Sequence, residues 1–412
     1  MIETKIRKPE VLAPAGDFEK LRYAVAYGAD AVYMAGKAYG MRTASGNFGQ
    51  DELKQAIDHC HAHGVQCFIT VNVMPRNHEI DQLPAYLELL NDLGADAVIV
   101  ADLGVIPLVK QYAPKVKLHI STQASIVNYS AANMYHQLGA DRIVLARELP
   151  LHEIAELRAR TDKSLEIEAF VHGSMCISYS GRCLLSNFMM GSNRDANHGS
   201  CAQPCRWSYA LMEEKRHGEY YPVYEDDRGT YIFNSRDMCL IDHIPELVEA
   251  GIDSFKIEGR AKTSYYAAVI TSAYRRAVDL YAEQGSAWKL PDAIRNEIYK
   301  VSHREYYTGF YFGEQPSEYH EDSKYIRDWD VCAMIHGGGK QGELTRLEQK
   351  NKFSVGEVVE VFAPGQDPVE FTITEMFDKD MQPIESAPHP LMEVNLRLPC
   401  DVPPMSILRK KK

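Results

Sequence analysis

Four short stretches decide how this chain reads: Gly28-Ala-Asp-Ala-Val-Tyr-Met34, Gly94-Ala-Asp-Ala-Val-Ile-Val100, Gly139-Ala-Asp-Arg-Ile-Val-Leu145 and Gly251-Ile-Asp-Ser-Phe-Lys-Ile257. In each, a glycine supplies the left-handed backbone that closes a helix. A nearly unbroken apolar run follows, of the kind found in parallel strands buried on both faces. Helical spacing precedes them at Leu21, Ala24, Val25 and Gly28, at Leu83, Leu87, Leu90 and Leu93, and at Ile244, Leu247, Val248 and Gly251. A helix–glycine–strand unit that recurs through about 280 residues is the pattern of an alternating α/β protein.

Working outward from the repeats, strands are expected at 10–13, 31–34, 66–72, 97–101, 116–122, 142–146, 166–172, 231–235 and 254–258. No Gly-x-Gly-x-x-Gly turn follows the first strand, so a TIM-like (β/α)8 barrel is favoured over an open doubly wound sheet. Nine candidates compete for eight places, so one strand lies outside the barrel or caps it. A long helix is expected at about 264–283, followed by a polar, aromatic stretch over 284–328. From Trp329 onward, short β-like runs (Val331–Ile335, Glu357–Phe362, Glu370–Thr374, Val394–Leu398) alternate with Gly, Pro and Asp turns. The expected organisation is a barrel over 1–328, with a cysteine-rich loop at about 173–207 and an inserted segment at 208–230, followed by a small C-terminal β-barrel domain over 329–412.

Composition narrows the function classes. Apolar residues make up 45% of the 412 and charged residues 25%, the balance of a folded globular protein. No export signal and no apolar run of about eighteen residues is present, so a cytoplasmic protein with no membrane partner is expected. Lys plus Arg total 45 against 57 Asp plus Glu, and the net charge of −12 repels polyanions at long range. A nucleic-acid role therefore needs a local basic patch. Arg182, Arg194, Arg206, Arg236, Lys256, Arg260 and Lys262 offer one around the cysteine loop and the late strands, and the chain ends Leu408-Arg-Lys-Lys-Lys412.

Nine cysteines, an odd number in a large chain, suit a reducing compartment. Four of them fall close together: Cys176 and Cys183 are separated by six residues, and Cys201-Ala-Gln-Pro-Cys205 follows. Structural zinc favours two tight pairs, whereas iron–sulfur clusters accept wider and less regular spacing. The spacing favours a cluster and leaves zinc or unrelated thiols open. Cys60 continues the apolar face of Leu53, Ala56 and Ile57, and Cys67, Cys239, Cys332 and Cys400 stand singly among apolar neighbours, so these five read as structural. His59, His61 and His63 spread around a helix end and read as solvated rather than as metal ligands.

Polar residues collect at strand ends, where barrel enzymes place their chemistry: Asn72, Asp102, Thr122-Gln123, Arg147-Glu148, His172, Asp237 and Glu258-Gly-Arg260. Lys256, Glu258 and Arg260 share one strand face, so they either bind carboxylates or pair internally. Pairing is favoured for Glu258 and anion binding for Arg260.

Leu12-Ala-Pro-Ala-Gly16, the Gly-Ala-Asp-Ala-Val-Tyr repeat, Phe170-Val-His-Gly173, Ser180-Gly-Arg-Cys183, Asn234-Ser-Arg-Asp237 and Phe255-Lys-Ile-Glu-Gly-Arg260 resemble the collagenase-like peptidase family of unassigned catalytic type. The resemblance runs through about residues 8–282 and resumes near Lys352-Phe-Ser-Val-Gly356. A single barrel with a C-terminal β-domain and Cys201…Cys205-Arg-Trp207 is most similar to the members that hydroxylate tRNA. That resemblance implies prephenate-dependent oxygen insertion at C5 of a wobble uridine, giving 5-hydroxyuridine on the way to 5-carboxymethoxyuridine or 5-methoxyuridine. It also implies a 4Fe–4S cluster held by Cys176, Cys183, Cys201 and Cys205. Partners are then tRNA, prephenate and, for assembly, a second copy or a related subunit.

Base hydroxylation needs a redox centre beside a pocket that admits an unstacked nucleotide and holds it by its edges. Asn72, Gln123, His172, Glu258 and Arg260 are the candidate catalytic residues. Arg147, Glu148, Arg206, Asp237 and Lys256 are the candidate substrate contacts. His172, four residues before Cys176, either donates to a cluster sulfide or a substrate oxygen or is a hydrogen-bonded rim histidine. The peptidase reading has neither His-Glu-x-x-His nor Gly-x-Ser-x-Gly behind it. An electron-transfer accessory role and hydroxylation of ribosomal RNA or a ubiquinone precursor are the remaining alternatives.

Overall fold

The computed structural model describes residues 8–40, 46–175, 189–190, 201–204, 210–211, 221–222, 236–313 and 325–412. Seven parallel strands follow one another: β1 (Glu10–Pro14), β2 (Ala31–Met34), β3 (Gln66–Val71), β4 (Ala97–Val100), β5 (Lys117–Ile120), β6 (Arg142–Val144) and β7 (Glu166–Ser174). After the short antiparallel β8 (Asp237–Cys239), β9 (Ser254–Ile257) pairs with β7 on one side and β1 on the other, closing an eight-strand TIM-like barrel. The strand expected at 231–235 lies outside the described residues.

The extra strand sits where it does because β7 outruns β6. Glu168 pairs with both Val144 and Ser254, whereas His172 pairs with Cys239 and Ile257. The edge of β7 left open above β6 is thus taken by β8, which β10 (Tyr306–Tyr307) then extends.

All four repeat glycines have left-handed backbone: φ is 95° at Gly28, 81° at Gly94, 93° at Gly139 and 82° at Gly251. The aspartate two residues on has a role that the spacing alone does not reveal. Asp30 accepts the Val11 N–H at 2.8 Å, Asp96 that of Cys67 at 2.7 Å, Asp141 that of Leu118 at 2.8 Å and Asp253 that of Ile167 at 2.8 Å. Every second barrel strand thus opens with a carboxylate that satisfies a backbone donor of the strand before it. Such a buried donor, left without a partner, costs about 1–3 kcal/mol.

Around the ring, α1 (Phe18–Ala26) packs against the long, largely buried α2 (Ser264–Gln284). The barrel lumen is divided. Leu12, Ala31, Tyr33, Phe68, Ala97 and Ile99, from β1 to β4, form an apolar cluster. Packed against this cluster, Arg142 reaches Glu10 at 2.6 Å, Glu166 at 2.7 Å and Glu168 at 3.1 Å, and Lys256 reaches Glu168 at 2.6 Å. His119 lies edge-on to Phe68 at 4.7 Å, and burial, reinforced by Arg142 and Lys256, drives its pKa well below the ordinary value.

The C-terminal domain is one antiparallel sheet of β11 (Trp329–Ile335), β12 (Leu344–Gln349), β13 (Val358–Phe362), β14 (Val369–Thr372), β15 (Phe377–Asp378), β16 (Glu393–Arg397) and β17 (Ser406–Lys411), in the order β14-β13-β17-β11-β12-β16-β15. It curls into a half-barrel whose end strands, β14 and β15, do not pair, so the small barrel expected from the sequence stays open. Phe362, Met405 and Ile407 join the main core, and Tyr27 stacks on Phe362 at 4.9 Å. The basic chain end is no free patch: Arg409 is fully buried, Lys410 pairs with Glu357 at 2.6 Å and Lys412 lies 3.6 Å from Asp330. Among the described residues no helix is long and apolar enough to cross a membrane.

Candidate active site at the barrel mouth

The mouth is built from the residues that leave the C-terminal ends of the strands. Asn72, just past β3, donates to the Gln123 side-chain oxygen at 2.7 Å. Gln123 sits in a short turn at Thr122–Ala124 past β5; it is 5% exposed and its amide nitrogen is buried without a hydrogen-bond partner. A buried donor in that state can take up an acceptor. Arg147, past β6, stacks on Phe170 at 4.0 Å, donates to the Ser174 carbonyl at 3.0 Å and lies 3.9 Å from Glu258. Glu148 is half-buried beside it.

Arg260 is 3% exposed and donates to Asn47 at 2.6 Å and to the Thr70 hydroxyl at 3.4 Å. Its backbone position explains the Leu-Ala-Pro-Ala-Gly opening: a Cβ at Gly16 would stand 2.2 Å from the Arg260 carbonyl oxygen, so only glycine lets β1 run that close. Asn72, Gln123, Arg147, Glu258 and Arg260 thus share the mouth, with two guanidinium groups, one carboxylate and two amides.

Lys256 is on the same strand face but lower, 5% exposed and committed to Glu168, with its ammonium 4.5 Å above the Tyr33 ring. The inward Lys–Glu–Arg set expected from the sequence is therefore split, and Lys256 belongs to the lumen network rather than to the mouth. His172 is also not brought to the mouth. Alternation along Glu168 and Phe170 points it inward, but the β7–β9 register shifts between Lys256 and Ile257 and turns it out. There it is fully buried, with Nδ1 3.4 Å from the Tyr274 hydroxyl and Nε2 3.4 Å from that of Tyr306. Burial, only partly opposed by Asp237, pushes its pKa down to about 3, so it is a neutral base at any physiological pH.

Asp237 is 2% exposed, accepts the Arg304 N–H at 3.1 Å and lies 4.0 Å from the Lys262 ammonium. These contacts tie the extra strand to the mouth, and the Oδ1 of Asp237 is left without a hydrogen-bond partner. Asp102 caps the Gly104 N–H at 2.8 Å, a structural role. Thr70, Asn47 and Phe170 complete the mouth and were not singled out in the sequence; the inward parity of Thr70 and Phe170 on β3 and β7 was the available signal.

Cys176, Cys183, Cys205 and Arg206 lie outside the described residues. Cys201 is half-buried and its sulfur accepts the Gln203 N–H at 3.3 Å. Hydrogen bonds to ligand sulfurs are among the contacts that tune iron–sulfur clusters, so this one fits a cluster ligand. The segment that carries Cys176 leaves from Met175, buried beyond the end of β7. Away from that segment, burial pushes the Cys239 and Cys332 thiols up to about 12.

A family model described as peptidase family U32 matches residues 16–321, and one described as its C-terminal domain matches 327–409. The chain belongs to peptidase family U32. Within U32, it is 36% identical over 408 residues to tRNA hydroxylation protein P1 of Bacillus subtilis (strain 168), covering 98% of this chain and 96% of that protein. It is 34% identical over 436 residues to tRNA hydroxylation protein P of Escherichia coli (strain K12), covering 96% and 95%. The 23S rRNA 5-hydroxycytidine C2501 synthase of Escherichia coli (strain K12) is 33% identical over 296 residues, covering 72% of this chain and 43% of that protein.

Proposed function

We infer that this U32 protein is a tRNA-modifying hydroxylase that inserts oxygen at C5 of a wobble uridine, giving 5-hydroxyuridine. The observation that carries the reading is similarity through both domains, end to end, to proteins named for tRNA hydroxylation. The ribosomal RNA synthase shares about its barrel's length and points to the same chemistry on a pyrimidine ring. A mouth with one unpartnered amide donor and two arginines suits an extruded base and an organic anion. Prephenate, with two carboxylates, is the anion we assign to Arg147 and Arg260, since guanidinium forks match carboxylates in geometry and charge.

Cys176, Cys183, Cys201 and Cys205 would hold a 4Fe–4S cluster, which supplies one-electron chemistry when bound. The chain's own residues do the rest. Asn72 and Gln123 read a base edge, Arg147 and Arg260 hold the anion, and the salt-bridged lumen beneath supports their positions. Among the described residues, thiols raised by burial and a histidine held neutral between two tyrosines are a poor basis for peptide hydrolysis. Mass spectrometry of tRNA nucleosides from cells lacking the gene tests the reading. Loss of 5-hydroxyuridine-derived modification is expected, and unchanged tRNA together with a hydroxycytidine deficit in ribosomal RNA would overturn it.

A further inference from the structure

The two ends of the Gln123 side chain are treated differently. Its Oε1 accepts from the Asn72 amide at 2.7 Å and from the Ser121 hydroxyl at 3.3 Å. Ser121 in turn accepts the Gln123 backbone N–H at 3.3 Å, so its own proton is left for that oxygen. At the other end the amide nitrogen is buried with no hydrogen-bond partner. The side chain is held with its acceptor used and its donor unused.

The backbone beneath it is fixed as well. The Ser121 N–H donates to the Val100 carbonyl at 2.7 Å and the Thr122 hydroxyl to the Leu145 carbonyl at 2.9 Å, which ties the turn to the ends of β4 and β6. Ser125 closes the turn with left-handed backbone at φ 54°. Folded proteins leave few buried donors unpaired, and those that remain call for an explanation.

We propose that Gln123 selects uracil over cytosine by donating from Nε2 to the O4 of the base, with Asn72 as the positioning residue that fixes the amide in that sense. The inference rests on the tRNA uridine reading above and names how that site chooses its base. Uracil and cytosine share a ring shape, a C2 carbonyl and the C5 to be hydroxylated, so stacking and fit do not tell them apart. They differ at position 4, next to C5, where uracil carries a carbonyl acceptor and cytosine an amine donor. A donor fixed there pairs with the first and opposes the second. Reaching Nε2 takes a shift of side chains at the mouth, of the kind that binding commonly brings. Discrimination by such a group is steeper than by an apolar wall, because the wrong base leaves a buried polar group unpaired.

The test uses the full-chain holoenzyme and two stem-loops that differ only in uridine or cytidine at the position to be modified, with Kd from filter binding measured beside hydroxylation. Wild type should bind the uridine stem-loop about 10- to 100-fold more tightly than the cytidine one. Gln123→Glu puts an acceptor where the donor was and should turn the preference toward cytidine. Asn72→Asp leaves Gln123 in place and should act in the same direction: a carboxylate only accepts, so the Gln123 amide turns its nitrogen to it and presents its oxygen to the base. A merely structural role for Asn72 would weaken both stem-loops alike and leave their ratio where it was. Equal binding of the two stem-loops by a wild type that hydroxylates uridine, or an unmoved ratio in either folded variant, would overturn the proposal. A wild-type holoenzyme that hydroxylates neither stem-loop, or only the cytidine one, overturns the function reading instead, and that first measurement tells the two failures apart.

Discussion

Replacing Arg409 by alanine should loosen the hold of the C-terminal half-barrel on the barrel. Arg409 is the largest fully buried side chain among the described residues. It donates to Glu297 at 2.7 Å, to Glu360 at 2.9 Å and to the Tyr265 hydroxyl at 3.3 Å, and its guanidinium lies 4.3 Å from the Phe362 ring centroid. Removing one partner from a buried ionic set costs about 3–5 kcal/mol, because a charge is left without compensation. Here Lys300 remains 2.8 Å from Glu297 and 2.9 Å from Glu360, so the two carboxylates keep one shared cation. The low end, about 3 kcal/mol, is therefore expected. Trp329, 5.5 Å from Arg409 and 4.6 Å from Lys300, is a local reporter for fluorescence-monitored urea unfolding. Arg409→Ala combined with Glu360→Gln should cost less than the sum of the two single changes, since they remove one shared interaction. An unfolding curve for Arg409→Ala that overlays wild type, or strict additivity of the pair, would refute the account.

Asp141→Ala should cost about 1–3 kcal/mol in a urea melt by orphaning the Leu118 N–H, and Asp141→Asn, which keeps an acceptor, should cost less; equal stability of alanine and wild type would remove the clamp. Because the His172 pKa is depressed in the folded state, the unfolded chain takes up that proton first, so stability is lost as pH falls below about 6.5 and the loss runs on to about 3. At pH 5 this one group accounts for about 2 kcal/mol, and His172→Gln, though less stable at pH 7, should lose that much less on acidification. Changing any of Cys176, Cys183, Cys201 or Cys205 to alanine should bleach anaerobically purified protein that otherwise carries about four irons, while Cys60→Ala, in the buried helix face, should not; stoichiometric zinc without iron would sink the cluster.

The barrel was legible because its signals are local. A left-handed glycine followed by an apolar run needs nothing distant to be recognised, and four such units specify the alternation. The aspartates of the same repeats were equally visible, but their partners are not local: Asp30 meets Val11 and Asp253 meets Ile167, contacts that exist only once neighbouring strands are in register. The ninth strand candidate remained unplaced for a related reason. Whether β7 outruns β6 is a difference of strand lengths, and periodicity marks a strand's parity better than its end.

Parity also explains which mouth residues were found and which were misplaced. Asn72, Gln123, Arg147, Glu258 and Arg260 were reached by asking which polar residues end strands, and the structure does gather them. His172 obeys the same rule yet faces the other way, because one skipped residue opposite Ile257 reverses every side chain beyond it. Lys256 has the right parity and the wrong depth: two residues below Glu258, it lies among the lumen carboxylates, where its charge is cancelled by Glu168. The same cancellation bears on RNA binding. Arg142 and Lys256 neutralise lumen carboxylates, and Lys410 and Lys412 meet acidic partners on the half-barrel, so these cations are unavailable to a phosphate backbone. Among the described residues, Arg147 and Lys262 stand at the mouth, each beside a carboxylate of its own, and Arg182, Arg194 and Arg206 of the expected basic patch lie outside those residues.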